Sequence, residues 1–457
     1  MSVFGSSLLG FLLAVAILVT VHEMGHYLAA RWCKVKVIRF SVGFGPVLLK
    51  WIGKRSIFAG TEFAISAIPL GGYVRMLDTR DPDFTSAKHA DISAAFNKQP
   101  LWKRSVIVAA GPLANFILAA FLYALALSAP DRDLTAYVAK PEANTPAAIA
   151  GMRGGENILR INDRAVAHWG DVRWSLLTSL FDAEMKLDVE ERGVERSITL
   201  TRGESVTATA DSVGARLSGW GLVFDQPAII GTVKDGGPAA TAGLKSGDQI
   251  VSVDGQSIRQ WTQFTQRIQA APGGQVKLGV SRQGTTQDIV VNPRAEVLAK
   301  GSVGRIDVGA ISPLQWGERS LTERQRSIPE AIVAAVQRTY DASVLTVRLL
   351  WGMLTGDISL RQISGPLTMA EGAGATLSQG AVAFTLFLAI VSISIGVLNL
   401  LPVPMLDGGQ LLYHLFEALK GAPLSERAEA FGQRVGIGFV TALTALALYN
   451  DFLRIIS

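Results

Sequence analysis

Four long apolar stretches most constrain what this chain can fold into. Residues 3–21, 106–129 and 381–401 contain 19, 24 and 21 residues without a charged side chain. A helix needs about 20 apolar residues to cross a hydrocarbon core about 30 Å thick. Residues 435–449 contain only 15, so this stretch needs the apolar residues that follow it to span the core. The sequence therefore predicts four transmembrane helices.

The composition agrees with a membrane protein that carries soluble insertions. Charged residues make up 18% of the 457 residues, against about 25% in an average soluble domain, and 49% are hydrophobic. This excludes a disordered or acidic-tail protein. Cys33 is the single cysteine, which excludes both a disulfide framework within the chain and a four-cysteine zinc site.

The basic charge is concentrated in one segment. Residues 31–104 contain 13 Lys/Arg and 5 Asp/Glu, a surplus of +8, whereas the whole chain carries +5. Short loops rich in Lys and Arg face the cytoplasm. We therefore predict that residues 31–104 are cytoplasmic and that residues 130–380 face the other side. The charge lies beside membrane spans rather than on one soluble face, so we predict no nucleic-acid partner.

One pattern occurs twice between the second and third spans. Residues 145–156 read Thr-Pro-Ala-Ala-Ile-Ala-Gly-Met-Arg-Gly-Gly-Glu, and residues 237–248 read Gly-Pro-Ala-Ala-Thr-Ala-Gly-Leu-Lys-Ser-Gly-Asp. A tryptophan follows the proline after 23 residues in both copies. Such self-similarity predicts two copies of one small domain. The alternative is two plain β-rich spacers.

The second copy resembles bacterial PDZ domains, which bind extended peptides by adding a strand to a sheet edge. The resemblance implies a carboxylate-binding loop, for which the candidates are Gly221, Leu222, Val223 and Phe224. We assign this loop to the second domain. The first copy shows no comparable loop, which leaves its peptide binding open.

The first span runs directly into a His-Glu-x-x-His motif. His22 and His26 are four residues apart, so on a helix both imidazoles face one point, as a zinc site requires. Glu23 stands beside them, where it can accept a proton from the water that the metal activates. The alternative is a polar helix end at the interface, where three ionisable groups would cost several kcal/mol without a compensating partner.

A catalytic zinc needs a third protein ligand. Asp407 follows the third apolar run as His22 follows the first, and two glycines after it permit a close backbone approach. We predict that Asp407 is this ligand, the alternative being a cap or turn aspartate. The other histidines are predicted to be incidental, namely His89, His168 and His414. Two histidines and one carboxylate also suit other divalent ions.

The paired motifs resemble the site-2 protease family of intramembrane zinc proteases. That family combines His-Glu-x-x-His in its first transmembrane helix with Asn-x-x-Pro-x-Pro-x-Leu-Asp-Gly in a late one, here residues 399–408. The two PDZ-like modules narrow the resemblance to the bacterial RseP subgroup. Further segments resemble that subgroup, namely residues 43–45, 61–73, 111–115 and 364–366.

The resemblance implies a mechanism and a set of site residues. His22, His26 and Asp407 would hold Zn²⁺ and Glu23 would be the general base. Substrate-binding residues would be Asn399, Pro402 and Asn115. Gln410 departs from the pattern, since histidine is expected there, which puts any accessory role at that position in doubt.

The resemblance also implies substrates and a location. The chain would be a zinc metalloendopeptidase of the bacterial inner membrane that cuts single-pass membrane proteins within the bilayer. An anti-sigma factor of the envelope stress response and leftover signal peptides are the implied substrates. The PDZ pair would lie in the periplasm and act as an exosite or size filter. The sequence leaves the oligomeric state open.

Residues 63–68 can form a strand, with glycines at 71 and 72. A helical substrate must leave its own hydrogen bonds before a peptide bond can be cut. We predict that an edge strand here holds the unwound segment by strand addition, as the family is thought to do. The alternative is a solvent-facing hairpin beside the membrane.

The predicted fold is a polytopic α-helical membrane protein with four transmembrane helices and two inserted β-rich PDZ-like domains. Residues 332–353 are predicted to form an amphipathic helix at the membrane interface. The predicted segments are helix 1 (1–30), a cytoplasmic β/loop region (31–104), helix 2 (105–129), PDZ-like domains 1 (130–215) and 2 (216–295), an extracytoplasmic amphipathic helical region (296–380), helix 3 (381–407), a cytoplasmic loop (408–432) and helix 4 (433–457).

Two rival functions come from other classes. A PDZ scaffold or membrane chaperone would bind exposed C-termini without cutting, but it has no need of His22, Glu23, His26 and Asp407. A metal transporter would need polar ligands in the middle of several spans. The apolar runs 106–129 and 435–449 contain no acid, histidine or cysteine, which argues against it.

Overall fold

The structure is a computed structural model that describes residues 3–54, 56–80, 92–191, 193–202, 213–224, 226–258, 260–298, 301–311, 321–422 and 424–456. It divides into two units. The helical unit contains Met1–Ala129 and Gln325–Ile456, and the β-rich unit contains Pro130–Arg324.

The helices are α1 (Val3–Trp32), α2 (Leu101–Ser128), α3 (Pro146–Ile149), α4 (Trp169–Thr178), α5 (Val213–Ser218), α6 (Pro238–Thr241), α7 (Trp261–Gln269), α8 (Ile328–Thr355), α9 (Pro366–Gln379), α10 (Ala381–Asn399), α11 (Asp407–Lys420) and α12 (Glu426–Ile456). Short 3₁₀ turns occur at Ser56–Phe58, Ile92–Ala94, Phe96–Lys98 and Leu360–Gln362.

The strands are β1 (Val37–Ile52), β2 (Glu62–Met76), β3 (Asp131–Leu134), β4 (Asn157–Ile161), β5 (Arg164–Ala165), β6 (Glu184–Glu191), β7 (Val194–Thr201), β8 (Ile230–Val233), β9 (Gln249–Val253), β10 (Gln256–Ser257), β11 (Val276–Arg282), β12 (Thr285–Val291), β13 (Arg294–Leu298), β14 (Gly301–Arg305), β15 (Val308–Ala310) and β16 (Leu321–Arg324).

Among the residues that the structure describes, four helices are long and apolar enough to cross a membrane, as the sequence predicts. They cover Gly5–Trp32, Leu101–Ser128, Ala381–Asn399 and Arg427–Arg454. The first two approach each other closely at Gly25, where an added Cβ would lie 2.3 Å from the backbone oxygen of Ala110. A glycine at this point therefore allows α1 and α2 to pack backbone against backbone.

The chain after the third span differs from the prediction. Residues 408–432 were expected to form a loop, but α11 occupies Asp407–Lys420 and α12 already begins at Glu426. Pro402 and Pro404 explain where α10 ends, since proline lacks the N–H that a helix interior requires. Asp407 is therefore the first residue of a new helix rather than the end of the third span.

The predicted amphipathic helix is α8, a continuous helix of 28 residues. A capping box between Ser327 and Glu330 marks its start. The helix packs against α2 and α10, while Val333, Tyr340 and Trp351 on its other side are exposed. Its position in the bilayer remains a prediction.

β1 and β2 fold back on each other to form a sheet with four antiparallel segments. Their order is 47–52, 62–66, 37–42 and 72–76, as the pairs Trp51–Phe63, Phe40–Phe63 and Phe40–Val74 show. The segment 62–66 is thus paired on both edges, so the prediction that residues 63–68 supply the edge strand is wrong. Residues 72–76 form one outer segment of this sheet.

The β-rich unit contains two small domains, which confirms the predicted duplication. One four-stranded sheet has the order β5-β4-β6-β7, and the other has the equivalent order β10-β9-β11-β12. Each sheet packs on its own hydrophobic core, the first around Met185 and Leu187 and the second around Leu278 and Val280. The same short helix and turn precede the first strand of each sheet.

The predicted assignment of Gly221, Leu222, Val223 and Phe224 to the second domain is wrong. Trp220 and Leu222 belong to the core of the first domain, and Phe224 packs against it. Val223 accepts a hydrogen bond from the Ala139 backbone N–H at 2.8 Å. The predicted boundary at 215/216 therefore cuts through the first domain.

Residues 220–224 form a closing segment that completes the first domain. The second domain has a counterpart of this closing segment further along the chain. Ile306 accepts a hydrogen bond from the Ala239 N–H at 3.2 Å, as Trp220 accepts one from the Ala147 N–H at 3.1 Å. β15 then pairs with β8. The second domain consequently extends to about residue 310, beyond the predicted limit at 295.

Candidate metal centre

The His-Glu-x-x-His motif lies on the last turns of α1. The Nε2 atoms of His22 and His26 are 3.3 Å apart, and the two rings meet at an angle of 85°. Helical spacing of four residues produces this convergence, because such residues lie one above the other on one face. Both rings are largely buried.

Asp407 joins the two histidines from the start of α11. Its Oδ2 atom lies 3.3 Å from Nε2 of His22 and 3.4 Å from Nε2 of His26. The glycines that follow it permit this position: an added Cβ would lie 2.2 Å from the Leu400 oxygen at Gly408, and 2.2 Å from the Val403 oxygen at Gly409. The loop after α10 therefore folds tightly onto the first turn of α11.

The three atoms fit a tetrahedral zinc ion. Ligands 2.0–2.1 Å from a tetrahedral zinc lie about 3.3–3.4 Å from one another, which matches all three separations measured here. Oδ2 of Asp407 is also buried without a well-formed hydrogen bond from any described residue. Among the described residues, His22, His26 and Asp407 are the one group of three or more acidic, histidine or cysteine side chains that converges in this way.

The ring of His26 is oriented by the backbone of α2. Its Nδ1 lies 2.8 Å from the carbonyl oxygen of Ile107, to which it donates, leaving Nε2 free to bind a metal. Gly111 provides the space, because an added Cβ would lie 2.2 Å from Nε2 of His26. Sequence analysis missed the role of Ile107, since a backbone carbonyl leaves no residue-type signal.

Asn115 does not take the substrate-binding position that was predicted for it. Its side chain is completely buried, and Nδ2 lies 3.2 Å from Nδ1 of His22. A side chain without exposed surface in contact with a histidine ring is placed to act on that ring rather than on a bound peptide. The helical spacing between Gly111 and Asn115 could have indicated that both face the site.

Glu23 is half-buried and near enough to His22, His26 and Asp407 to interact with their charges. The outer segment 72–76 of the sheet reaches the same place. At Gly72, an added Cβ would lie 3.0 Å from Cγ of Glu23. The strand beside the site is therefore 72–76, and not 63–68 as predicted.

The remaining predicted residues lie around this centre or apart from it. Asn399 is half-buried at the end of α10, and Pro402 is exposed in the connection between α10 and Asp407. Gln410 lines a cavity of about 710 Å³ together with Tyr413 and His414.

The other histidines that the structure describes do not join the centre. The Nδ1 atom of His414 lies 3.1 Å from Oγ of Ser105. His168 belongs to the β-rich unit, and His89 lies outside the described residues. Gly221, Leu222, Val223 and Phe224 are not part of the centre.

Known proteins are similar to this chain over nearly its whole length. The model of peptidase family M50 matches residues 10–443. A putative zinc metalloprotease of Neisseria meningitidis is 37% identical over 98% of this chain and 99% of its own. A putative zinc metalloprotease of Vibrio cholerae and the regulator of sigma-E protease RseP of Escherichia coli are each 36% identical, over 98% of both chains.

A PDZ domain of an SdrC-like protein from Listeria monocytogenes is 26% identical, covering 20% of this chain and 90% of that structure, with a TM-score of 0.17.

The chain therefore belongs to peptidase family M50. It is a zinc metalloprotease of the site-2 type, built as a membrane protein with four candidate spans and two PDZ-like domains. The resemblance recognised in the sequence is confirmed.

Proposed function

We propose that His22, His26 and Asp407 hold the zinc and that Glu23 is the general base of an intramembrane endopeptidase. The convergence of three ligand atoms at mutual distances of 3.3–3.4 Å carries this proposal. When bound, zinc supplies Lewis-acid polarisation of the scissile carbonyl and activation of water. Three protein ligands leave a fourth position open for this chemistry.

The side chains of the protein perform the remaining steps. The Glu23 carboxylate accepts a proton from the attacking water and passes it to the amide nitrogen that leaves. The buried surroundings of His26 and Asn115 keep bulk water away from the ligand side of the centre. Asn399 and Pro402 flank the path to Asp407, where they can contact the substrate backbone.

The substrate is presented as an extended strand. Residues 72–76 form an outer segment of the sheet and pass directly beside Glu23. An unwound segment of another membrane protein can add to that edge through backbone hydrogen bonds. The amide to be cut then lies next to the general base, freed from its own helical hydrogen bonds.

The substrates are single-pass membrane proteins, in particular an anti-sigma factor of an envelope stress response and leftover signal peptides. Relatives named regulator of sigma-E protease support this class. The charge surplus of residues 31–104 supports a cytoplasmic position for that segment. The β-rich unit then lies on the periplasmic side of the inner membrane, where its PDZ-like domains act as an exosite or size filter.

The decisive experiment compares the wild type with Glu23→Gln on a reconstituted single-pass substrate whose external domain has been shortened. We expect cleavage by the variant to fall roughly 10²–10⁴-fold while bound zinc is retained, because the general base is lost but the ligands are not. Metal content is measured by elemental analysis of the purified protein. A second substrate with an intact external domain tests the size filter and should be cut more slowly.

The matched control is Glu371→Gln, which makes the same chemical change at an exposed carboxylate paired with Arg454. It should cleave at the wild-type rate. Equal rates for the wild type and Glu23→Gln would remove Glu23 from the mechanism. Binding of the substrate tail without cleavage by the wild type would overturn the proposed substrate class.

A further inference from the structure

The side-chain amide of Asn115 contacts the ring of His22, and the mechanism gives this contact no role. Asn115 lies in the middle of α2 with no exposed surface, and Nδ2 is 3.2 Å from Nδ1 of His22. Its Oδ1 is buried and has no hydrogen-bond partner among the described residues. In this orientation a donor nitrogen faces the ring, while the acceptor oxygen of the amide is left unused, which requires an explanation.

The chemistry of a ligating histidine supplies one. A ring that offers Nε2 to a metal carries its proton on Nδ1, and that N–H needs an acceptor. For His26 the acceptor is the carbonyl of Ile107 at 2.8 Å. For His22 the neighbouring group is the amide of Asn115, and rotating this amide by 180° exchanges Oδ1 and Nδ2 without moving any other atom.

We propose that Asn115 is a positioning residue: its side-chain oxygen accepts the Nδ1–H of His22 and thereby holds Nε2 in the orientation that binds the metal. The inference deepens the proposed function and rests on it, because it takes His22 to be a zinc ligand. The two histidines are then oriented by different means, one by a backbone carbonyl and the other by a replaceable side chain.

The position of Asn115 is itself fixed from the opposite side. Ser392 of α10 donates a hydrogen bond from Oγ to the backbone oxygen of Asn115 at 2.8 Å, and both residues are fully buried. α10 also leads into the loop that precedes Asp407. The backbone that presents the amide to His22 is therefore tied to the helix that precedes the third ligand.

The test measures zinc affinity of the full chain in detergent, by competition with a chelator of known affinity, so that it does not depend on turnover. Asn115→Leu keeps the approximate size but removes the acceptor, and we expect zinc binding to weaken roughly 10–100-fold, as when an outer-shell partner of a ligand is lost. Asn115→Asp keeps an acceptor oxygen and should bind zinc within a few-fold of the wild type. Asn115→Ala replaces the leucine variant if the latter does not fold.

The matched control is Tyr123→Phe, two turns further along α2. It removes another buried polar atom that has no partner among the described residues, but away from His22. Its zinc affinity should equal that of the wild type.

The outcomes separate this inference from the proposed function. Wild-type affinity in Asn115→Leu would overturn the inference and leave the zinc site standing. Equal weakening in the leucine and aspartate variants would overturn it too, because packing rather than the acceptor would then matter. Failure of the wild type to bind zinc would overturn the proposed function itself.

Discussion

Two aspartates, the half-buried Asp407 in the helical unit and the buried Asp248 in the β-rich unit, have very different surroundings. Asp248 is 1% exposed, and its two oxygens accept hydrogen bonds from Nε and Nη2 of Arg282, both at 2.7 Å. The backbone N–H of Lys245 adds another at 2.8 Å. Asp407 instead faces two imidazoles, and its Oδ2 has no well-formed hydrogen bond from the described residues.

This difference in hydrogen bonding distinguishes a carboxylate with a structural role from one that is placed to bind a ligand. A buried carboxylate whose hydrogen bonds and charge are satisfied by its own chain holds a turn in place, as Asp248 does in the second domain. Glu156 does the same in the first domain, where it pairs with Arg196 and accepts from the N–H groups of Arg153 and Gly154. A carboxylate that faces two histidine rings and accepts no well-formed hydrogen bond from the described residues is instead suited to bind a cation from outside the chain.

The largest effect that this comparison predicts is for Asp407→Ala. We expect zinc affinity to fall more than about 100-fold, beyond the loss seen for outer-shell partners, and cleavage to become undetectable. The fold should survive, since Asp407 supports no turn of its own. Chelator competition and hydrogen–deuterium exchange of the full chain measure the two effects. Wild-type zinc affinity in this variant would show that Asp407 does not bind the metal, and the proposed contrast with Asp248 would then fail.

Much of the metal centre could be predicted from the sequence because its signals are local. His22, Glu23 and His26 lie within one helical turn, and Asp407 follows an apolar run in a distinctive proline- and glycine-rich segment. The spans were predictable for the same reason, since an apolar stretch of sufficient length requires no knowledge of its neighbours.

The parts that could not be predicted depend on contacts between distant residues. Phe224 pairs with Val138, 86 positions earlier, so its position just ahead of the second repeat does not indicate that it belongs to the first domain. Asn115 meets His22 across 93 positions. The outer strand beside Glu23 follows from the register of β1 and β2, which a short alternating pattern does not determine.

A smaller effect is predicted for Arg282→Leu, the corresponding change at the other aspartate. It leaves Asp248 buried without its charged partner and should destabilise the second domain. The loss should be smaller than for a fully buried ion pair, because Arg282 is 30% exposed and the bond from Lys245 remains. Hydrogen–deuterium exchange of β9 and β11 in the full chain measures it.

Arg196→Leu is the matched variant in the first domain. It should accelerate exchange in β4 and β6 but leave the second domain and the zinc affinity unchanged. Loss of zinc binding in either arginine variant would mean that the metal centre depends on the ion pairs of the β-rich unit.

The smallest effect is the response of the second domain to acid. Burial alone would raise the pKa of Asp248, but the hydrogen bonds from Arg282 and the Lys245 N–H outweigh it and hold the pKa below its ordinary value. A carboxyl with a lowered pKa stabilises the fold above about pH 4, its pKa in the unfolded chain, and loses that contribution as the pH falls through the folded value. The protection factors of β9, which correct for the slower intrinsic exchange in acid, should therefore fall below about pH 4.

Asp248→Asn provides the check, since it cannot titrate. Its protection factors should be lower than those of the wild type at neutral pH and should change less on acidification. An unchanged acid response in this variant would assign the response to other groups.

The position at which the first domain closes limits how the β-rich unit can be divided or moved. The first core ends with Phe224, and Pro227 already pairs with Gln260 of the second domain. Three residue steps of extended chain reach at most about 11 Å. The two domains are therefore joined by a very short connection, through which a force applied to one domain passes to the other. A deletion that removes one domain and leaves the core of the other intact has to cut between residues 224 and 227.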